Sequence, residues 1–441
     1  MNASAKPFAV TNKAVLAIAL PTTLAYLSTP LLGLVDTGVV GRVGDAALLG
    51  GLAVGAILFD VVFTTFNFLR ASTTGLVAQA FGRGDDADQQ VVLYRSLIFS
   101  WALGLLTLLA APLILWLGLY FMEVPEAVER AVRDYFTVRI LAAPLTLTNY
   151  TVLGWMLGQG RAGLGLVLQT VLNGSNIALS LYLGLYLDWG IAGVGWATVM
   201  AEAIAAGLGL YVVGRAYGAP FRVPLSALGG RVALSKLMSV NRDIMVRSLC
   251  LLMAIAFFTA QGAGFGETTL AANAVLMKFF TISGFFLDGI ATAAEQLAGR
   301  AVGAQHKKSL TRVVRLTMIW SFVLAGFATL VFFAVGPWLI DILTINEGVR
   351  GVAHAFLPYA ALTALVGALA FQMDGVFIGA TWTRDMRNMM LFSSASFLVV
   401  YHAAAPSLGN HGLWLALLVF LGMRGVTLFV CLPRKMRETF A

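Results

Sequence analysis

Apolar residues run through this chain in long stretches broken by short polar, charged segments. About twelve stretches reach the roughly 20 residues that a helix rising ~1.5 Å per residue needs to cross the hydrocarbon core of a bilayer. They predict spans at 14–39, 48–77, 93–121, 131–158, 163–185, 190–214, 240–263, 268–299, 311–342, 351–379, 385–404 and 410–432. The pattern is that of an all-α integral membrane protein.

Composition agrees. Of 441 residues, 59% are hydrophobic and 11% charged, far from the near-even apolar share and roughly quarter-charged makeup of soluble domains. The 29 Lys+Arg exceed the 21 Asp+Glu, but the bases are sorted by loop side rather than along one face. Most, from Lys6 and Lys13 through Arg222, Arg231, Lys236, Arg242 and Arg247 to Arg434, Lys435 and Arg437, fall at one set of helix ends. The other set has little beyond Arg42, Arg130, Arg133, Arg139 and Arg350. The positive-inside rule then places both termini in the cytoplasm, which requires an even number of spans. The expected location is the inner (plasma) membrane, multi-pass, and the basic excess reports topology rather than a nucleic-acid partner. Residues 1–13 lack the pattern of a cleavable signal. Cys250 and Cys431 lie in predicted spans of opposite halves and read as core filler.

Sliding the sequence on itself reveals a repeat of about 221 positions. QAFG at 79–82 faces RAVG at 300–303, and GWMLG at 154–158 faces GVFIG at 375–379, both at that offset. GDAALL at 44–49 matches GETTLA at 266–271, and GIAGVGWA at 190–197 matches GNHGLWLA at 409–416, each displaced by a residue or two. Six spans per half give the repeats the same orientation, a plan in which the path lies between the halves near the midplane. The expected division is 1–214, a cytoplasmic linker at 215–238 that carries Arg and Lys but no acid, and 239–441. Part of the linker suits an amphipathic helix on the anionic leaflet. Pro21, Pro30, Pro144 and Pro358 fall inside spans, where they permit kinks. Pro21 and Pro30 bracket the turns before Asp36, which suggests bending coupled to that acid.

Six acids fall within spans: Asp36, Asp60, Glu202, Asp288, Glu295 and Asp374. Each costs at least ~2.5 kcal/mol near the bilayer centre, so it must be paired, hydrated or protonated. Arg70, Lys278 and Arg424 are in-span bases that can pair with some, and ion pairing is the expectation for Asp60, Glu295 and Asp374. Asp36 has no base within a helical turn, and a carboxyl so placed suits reversible proton uptake. On the fifth span Gln169, Asn173, Asn176 and Ser180 recur at helical spacing on one face. That stripe reads either as interhelical glue or as a partner set for Asp36, with Thr198 and Glu202 completing a polar pocket. No P-loop is present, and His306, His354, His402 and His411 show no metal-ligand spacing. No cofactor or metal is implied, and the constellation of an enzyme is not visible. The sequons at Asn149 and Asn173 fall in spans and read as chance matches.

Longer phrases carry a family likeness: VDTGVVGRVG at 35–44, FNFLRASTTGLVAQAFGRGD at 66–85, NRDIMVRSLCL at 241–251, LAANAVL at 270–276, FLDGIATAAEQLAGRAVGA at 286–304 and MDGVFIGATWTRDMRN at 373–388. In these the chain resembles the multidrug and toxic compound extrusion (MATE) family, specifically its DinF-like branch, over nearly its whole length. The resemblance implies twelve transmembrane helices in two pseudo-symmetric six-helix bundles, forming a V around a central cavity. It also implies export driven by proton or sodium antiport; the expected cargo is small organic compounds, amphipathic and cationic, with the lipid bilayer and the coupling ion as partners and a monomer as the unit. The family's first-helix acid corresponds to Asp36, and its neighbouring polar cluster to Tyr135, Asn176 and Thr198. Some relatives carry a second Asp where this chain has Ser180. Loss of that carboxylate weakens a sodium site and favours proton coupling. Asp288 and Asp374 are second-rank candidates. A sodium-coupled exporter and a lipid-linked precursor flippase, which would draw on Arg70, Lys278 and Arg424, are the alternatives.

Overall fold

A computed structural model describes residues 8–218 and 228–441. Its spans are Asn12–Arg42, Ala46–Arg83, Asp86–Leu109, Glu126–Gly158, Ala162–Tyr186, Gly190–Tyr217, Arg231–Ala263, Glu267–Gly303, Lys307–Leu343, Glu347–Gly379, Thr383–Leu408 and Asn410–Thr439. All twelve predicted segments are matched, and no strand occurs among the described residues. Helices satisfy every backbone donor and acceptor within one segment, which lipid requires. Lys6, Arg222 and the middle of the expected linker, 219–227, lie outside the described residues. Of the linker's flanks, 215–217 continue the sixth span and 231–238 begin the seventh.

The third span ends earlier than the run of apolar residues. Its helix stops at Leu109, and Ala111–Met122 forms a separate short helix with Pro112 in its first turn, where a missing N–H breaks no bond. Other irregularities also fall in the first half. The second span breaks at Asn67 between Ala46–Phe66 and Phe68–Arg83. The fourth tightens into a 3-10 turn at Ile140–Ala142 just before Pro144, and the fifth widens into a π-helix over Ser180–Tyr186. The second-half spans each run as one α-helix, although Pro337, Pro358, Pro406 and Pro433 lie within them.

The fold divides into two compact units. One comprises Leu24–Val77 and Asp85–Leu237; the other comprises Met1–Thr23, Ala78–Gly84 and Met238–Ala441. The first helix, Asn12–Val43, therefore contributes to both. Within the second unit an aromatic core gathers Phe258, Phe279, Phe332, Phe397, Trp414 and Phe420, with the Phe258 and Trp414 rings edge to face at 4.9 Å.

The repeat seen in the sequence is also a repeat of contacts. In the first unit, a Cβ added at Gly154 would collide with the Arg70 carbonyl and one at Gly158 with the Thr74 carbonyl and Val77. In the second unit, one added at Gly375 would collide with the Ala291 carbonyl and one at Gly379 with the Glu295 carbonyl. Each glycine and its partner lie 221 positions beyond their counterparts (375 against 154 and 291 against 70; 379 against 158 and 295 against 74). The GxxxG phrases thus seat the fourth span on the second and the tenth on the eighth, the close backbone approach that small residues permit in lipid. Within the second unit, Gly82 abuts the Arg300 carbonyl and Gly303 the Gln79 carbonyl, so the related QAFG and RAVG phrases pack reciprocally on each other.

Candidate functional site

The first unit brings together most of the residues singled out from the sequence. Asp36, 8% exposed, accepts a hydrogen bond from the Ser180 hydroxyl at 2.8 Å. Ser180 opens the π-helical segment, a rare backbone form that is frequent at functional sites. Its oxygen also lies 3.2 Å from Asn176 Oδ1, while Asn176 Nδ2 donates to Thr198 Oγ1 at 3.1 Å. Thr198 donates in turn to the Val194 carbonyl at 3.2 Å. Asp36, Ser180, Asn176 and Thr198 thus form one buried chain of hydrogen bonds ending on backbone.

This chain serves two charge states of Asp36. With Asp36 ionised, the Ser180 hydroxyl points its single proton at the carboxylate. With Asp36 protonated, the acid donates to the Ser180 oxygen, and the Ser180 proton turns to Asn176 Oδ1. A hydroxyl both donates and accepts, so Ser180 keeps a hydrogen bond to Asp36 in both states, and in the protonated state its own proton is free to serve Asn176 Oδ1.

A cavity of about 280 Å³ adjoins this chain, with Asn176 and Thr198 in its wall. Asn173 lines it too, donates to Ser28 Oγ at 2.6 Å and receives a longer bond from Gln169 at 3.5 Å. The polar stripe on the fifth span is therefore tied to the first helix at two levels, Ser28 and Asp36. Glu202 sits in another part of the wall, hydrogen-bonded by Asn149 Nδ2 at 2.6 Å. Tyr135, which the family likeness assigns to the polar cluster, is buried in the same unit. Its hydroxyl accepts from Arg139 Nη1 at 2.6 Å rather than joining the Asp36 chain.

Arg139 is the residue that the sequence reading missed, having been grouped with bases at the outer helix ends. It lines the cavity, with its guanidinium 4.5 Å from the centre of the Phe59 ring. Two signals were available: it lies inside the predicted 131–158 span, and it follows Tyr135 by one helical turn. Asp60 lines the same cavity, and the ion pair expected for it is not made among the described residues.

The second-rank acids belong to the other unit. Asp374 Oδ2 accepts from Arg424 Nη2 at 2.7 Å and from Arg247 Nη2 at 2.5 Å, so this acid is held as an ion pair, as expected. Asp288 is half-buried in the eighth span, and its backbone carbonyl accepts from Thr292. Of the other in-span bases, Arg70 donates to Asn67 Oδ1 at 3.1 Å and Lys278 is exposed. No group of three or more His, Cys, Asp or Glu among the described residues could hold a metal ion.

Comparisons with known proteins agree on the kind of molecule. The family model described as MatE matches residues 21–182 and 244–403. DNA damage-inducible protein F of Escherichia coli is 36% identical over 434 residues, covering 97% of this chain and 93% of that protein. "Probable multidrug resistance protein NorM" of Deinococcus radiodurans is 27% identical over 444 residues, covering 94% of each chain. A crystal structure of MATE in the bent conformation superposes with a TM-score of 0.89 at 18% identity, covering 97% of this chain and 96% of that one.

Proposed function

The chain belongs to the MatE family of multidrug and toxic compound extrusion transporters, and we propose that it is a proton-coupled antiporter exporting amphipathic, cationic organic compounds. The observation that carries this reading is the Ser180–Asp36 hydrogen bond at 2.8 Å inside a network that serves both charge states of the acid. A sodium site asks for several hard oxygen ligands with enough negative charge, whereas here a neutral hydroxyl faces the one carboxylate.

In the proposed cycle, ionised Asp36 permits loading from the cytoplasm. Protonation from outside reverses the Ser180 hydrogen bond, rearranges the first helix between Pro21 and Asp36, and displaces the compound outward. The halves 1–214 and 239–441, joined through 215–238, alternate access as a monomer in the inner (plasma) membrane, with both termini cytoplasmic. Asn173, Asn176, Ser180, Thr198, Glu202 and Tyr135 contribute to the site; Asp288 and Asp374 rank behind them.

Ethidium transport in proteoliposomes, driven by an imposed proton gradient and separately by a sodium gradient, tests this. Proton-driven transport that is lost in Asp36→Asn is the expected result. Wild-type coupling in that variant, or transport driven by sodium alone, would overturn the proposal.

A further inference from the structure

Beside Glu202, which Asn149 holds at 2.6 Å, the cavity of the first unit carries two opposite charges, Arg139 and Asp60, that form no ion pair with each other. Arg139 and Asp60 both line it, yet among the described residues neither makes an ion pair within 4 Å. The guanidinium is held by neutral partners: Nη1 donates to the Tyr135 hydroxyl at 2.6 Å, and the Phe59 ring centre lies 4.5 Å away. Its other N–H groups make no hydrogen bond among the described residues, and the Asp60 side chain is exposed.

Such an arrangement is costly in a membrane protein unless something occupies it. An in-span charge costs at least ~2.5 kcal/mol near the bilayer centre, and mutual attraction would draw an Arg and an Asp sharing one cavity together. Tyr135 and Phe59 hold the guanidinium away from that collapse. The remaining N–H groups form the planar fork that matches a carboxylate, while Asp60 faces the same space as an acceptor for a cation. The same wall carries the aromatic rings of Phe59, Phe63 and Tyr150 among polar neighbours such as Thr64 and Thr146.

We propose that this cavity is an amphoteric binding site, in which Arg139 receives the anionic group and Asp60 the ammonium group of one small aromatic zwitterion. The inference rests on the reading that this cavity holds the exported compound, and among organic cations it adds a preference for those that also carry an anion. Asp36 stays outside this recognition, since it is buried behind Ser180 and Asn176. A volume of about 280 Å³ stands at the lower end of ligand pockets, roughly 300–1,000 Å³, so a single-ring ligand fits the site better than a polycyclic dye.

Three near-isosteric probes with permanent charges separate the terms: (4-carboxybenzyl)trimethylammonium, its methyl ester, and 4-neopentylbenzoate. Their affinities for the purified full chain are read by calorimetry in detergent. Wild type is expected to bind the zwitterion at least ~10-fold tighter than the cationic ester or the anion. Arg139→Gln is expected to bring the zwitterion down to the level of the ester while leaving ester binding unchanged, which also shows that the variant is folded. Asp60→Asn is expected to bring the zwitterion down to the level of the anion.

A wild type that binds the ester as well as the zwitterion, or none of the three, overturns the proposal. So does Arg139→Gln with its preference intact, which would leave Arg139 only the role of holding Tyr135. Should Arg139→Gln fail to fold, Arg139→Lys decides: a point charge without the fork is expected to keep a reduced preference for the zwitterion, and complete loss of the preference again overturns the proposal. Proton-driven ethidium transport without a zwitterion preference would sink this inference and spare the proposed function. Selective zwitterion binding without proton-driven transport would do the reverse.

Discussion

Ser180 decides the character of the Asp36 site through a single hydrogen atom. Its hydroxyl, 2.8 Å from Asp36, can donate or accept, whereas a carboxylate in its place can only accept until it is protonated. Two carboxylates at that separation do not ionise together without a cation between them. Ser180→Asp is therefore expected to make transport respond to a sodium gradient that leaves wild type unaffected. Proteoliposome flux under opposing ion gradients measures this. An unchanged ion response would mean that the charge count at this point does not select the coupling ion.

Helix packing depends on glycines whose roles differ although their sequence contexts look alike. Gly379 seats the tenth span against the Glu295 carbonyl, while nothing lies within 4 Å of the Cβ position at Gly326. Gly379→Ala is expected to destabilise by about 1–3 kcal/mol, as overpacking of a close contact does. Gly326→Ala should be neutral or stabilising by up to ~1 kcal/mol, since Ala is the better helix former. Thermal unfolding of the two variants in detergent makes the comparison, and equal behaviour would refute the assigned contact. The π-helical turn at Ser180–Tyr186 is different in kind, because no residue type in SLYLGLY demands it. It became apparent only with the packed backbone.

The twelve candidate spans and the distribution of Lys and Arg together predict that both chain ends lie on the cytoplasmic side. With peptide tags at both ends, protease added to inverted vesicles should remove both tags, and protease added to right-side-out vesicles should remove neither. A split result would contradict the even count of spans, and a reversed one would contradict the charge rule. The repeat belongs to this level as well. Its 221-residue period appears in GWMLG and GVFIG as letters and again in the carbonyls they pack against, so each half solved the same packing problem in the same way.

Span number, the repeat and the prominence of Asp36 were legible in the chain itself. Lipid leaves an unpaired charge and an unsatisfied backbone so costly that both must show as pattern: long apolar runs, and rare acids that stand out within them. The partner set was half legible, because the spacing of Asn173, Asn176 and Ser180 defines a helix face without saying what it meets. Tertiary structure alone decided that Ser180 faces Asp36, that Tyr135 is held by Arg139 rather than by the Asp36 chain, and that Asp374 is closed by two arginines while Asp60 is left open. These are contacts between helices, fixed by rotation and depth of one span against another, and hydropathy along a single helix carries no record of either.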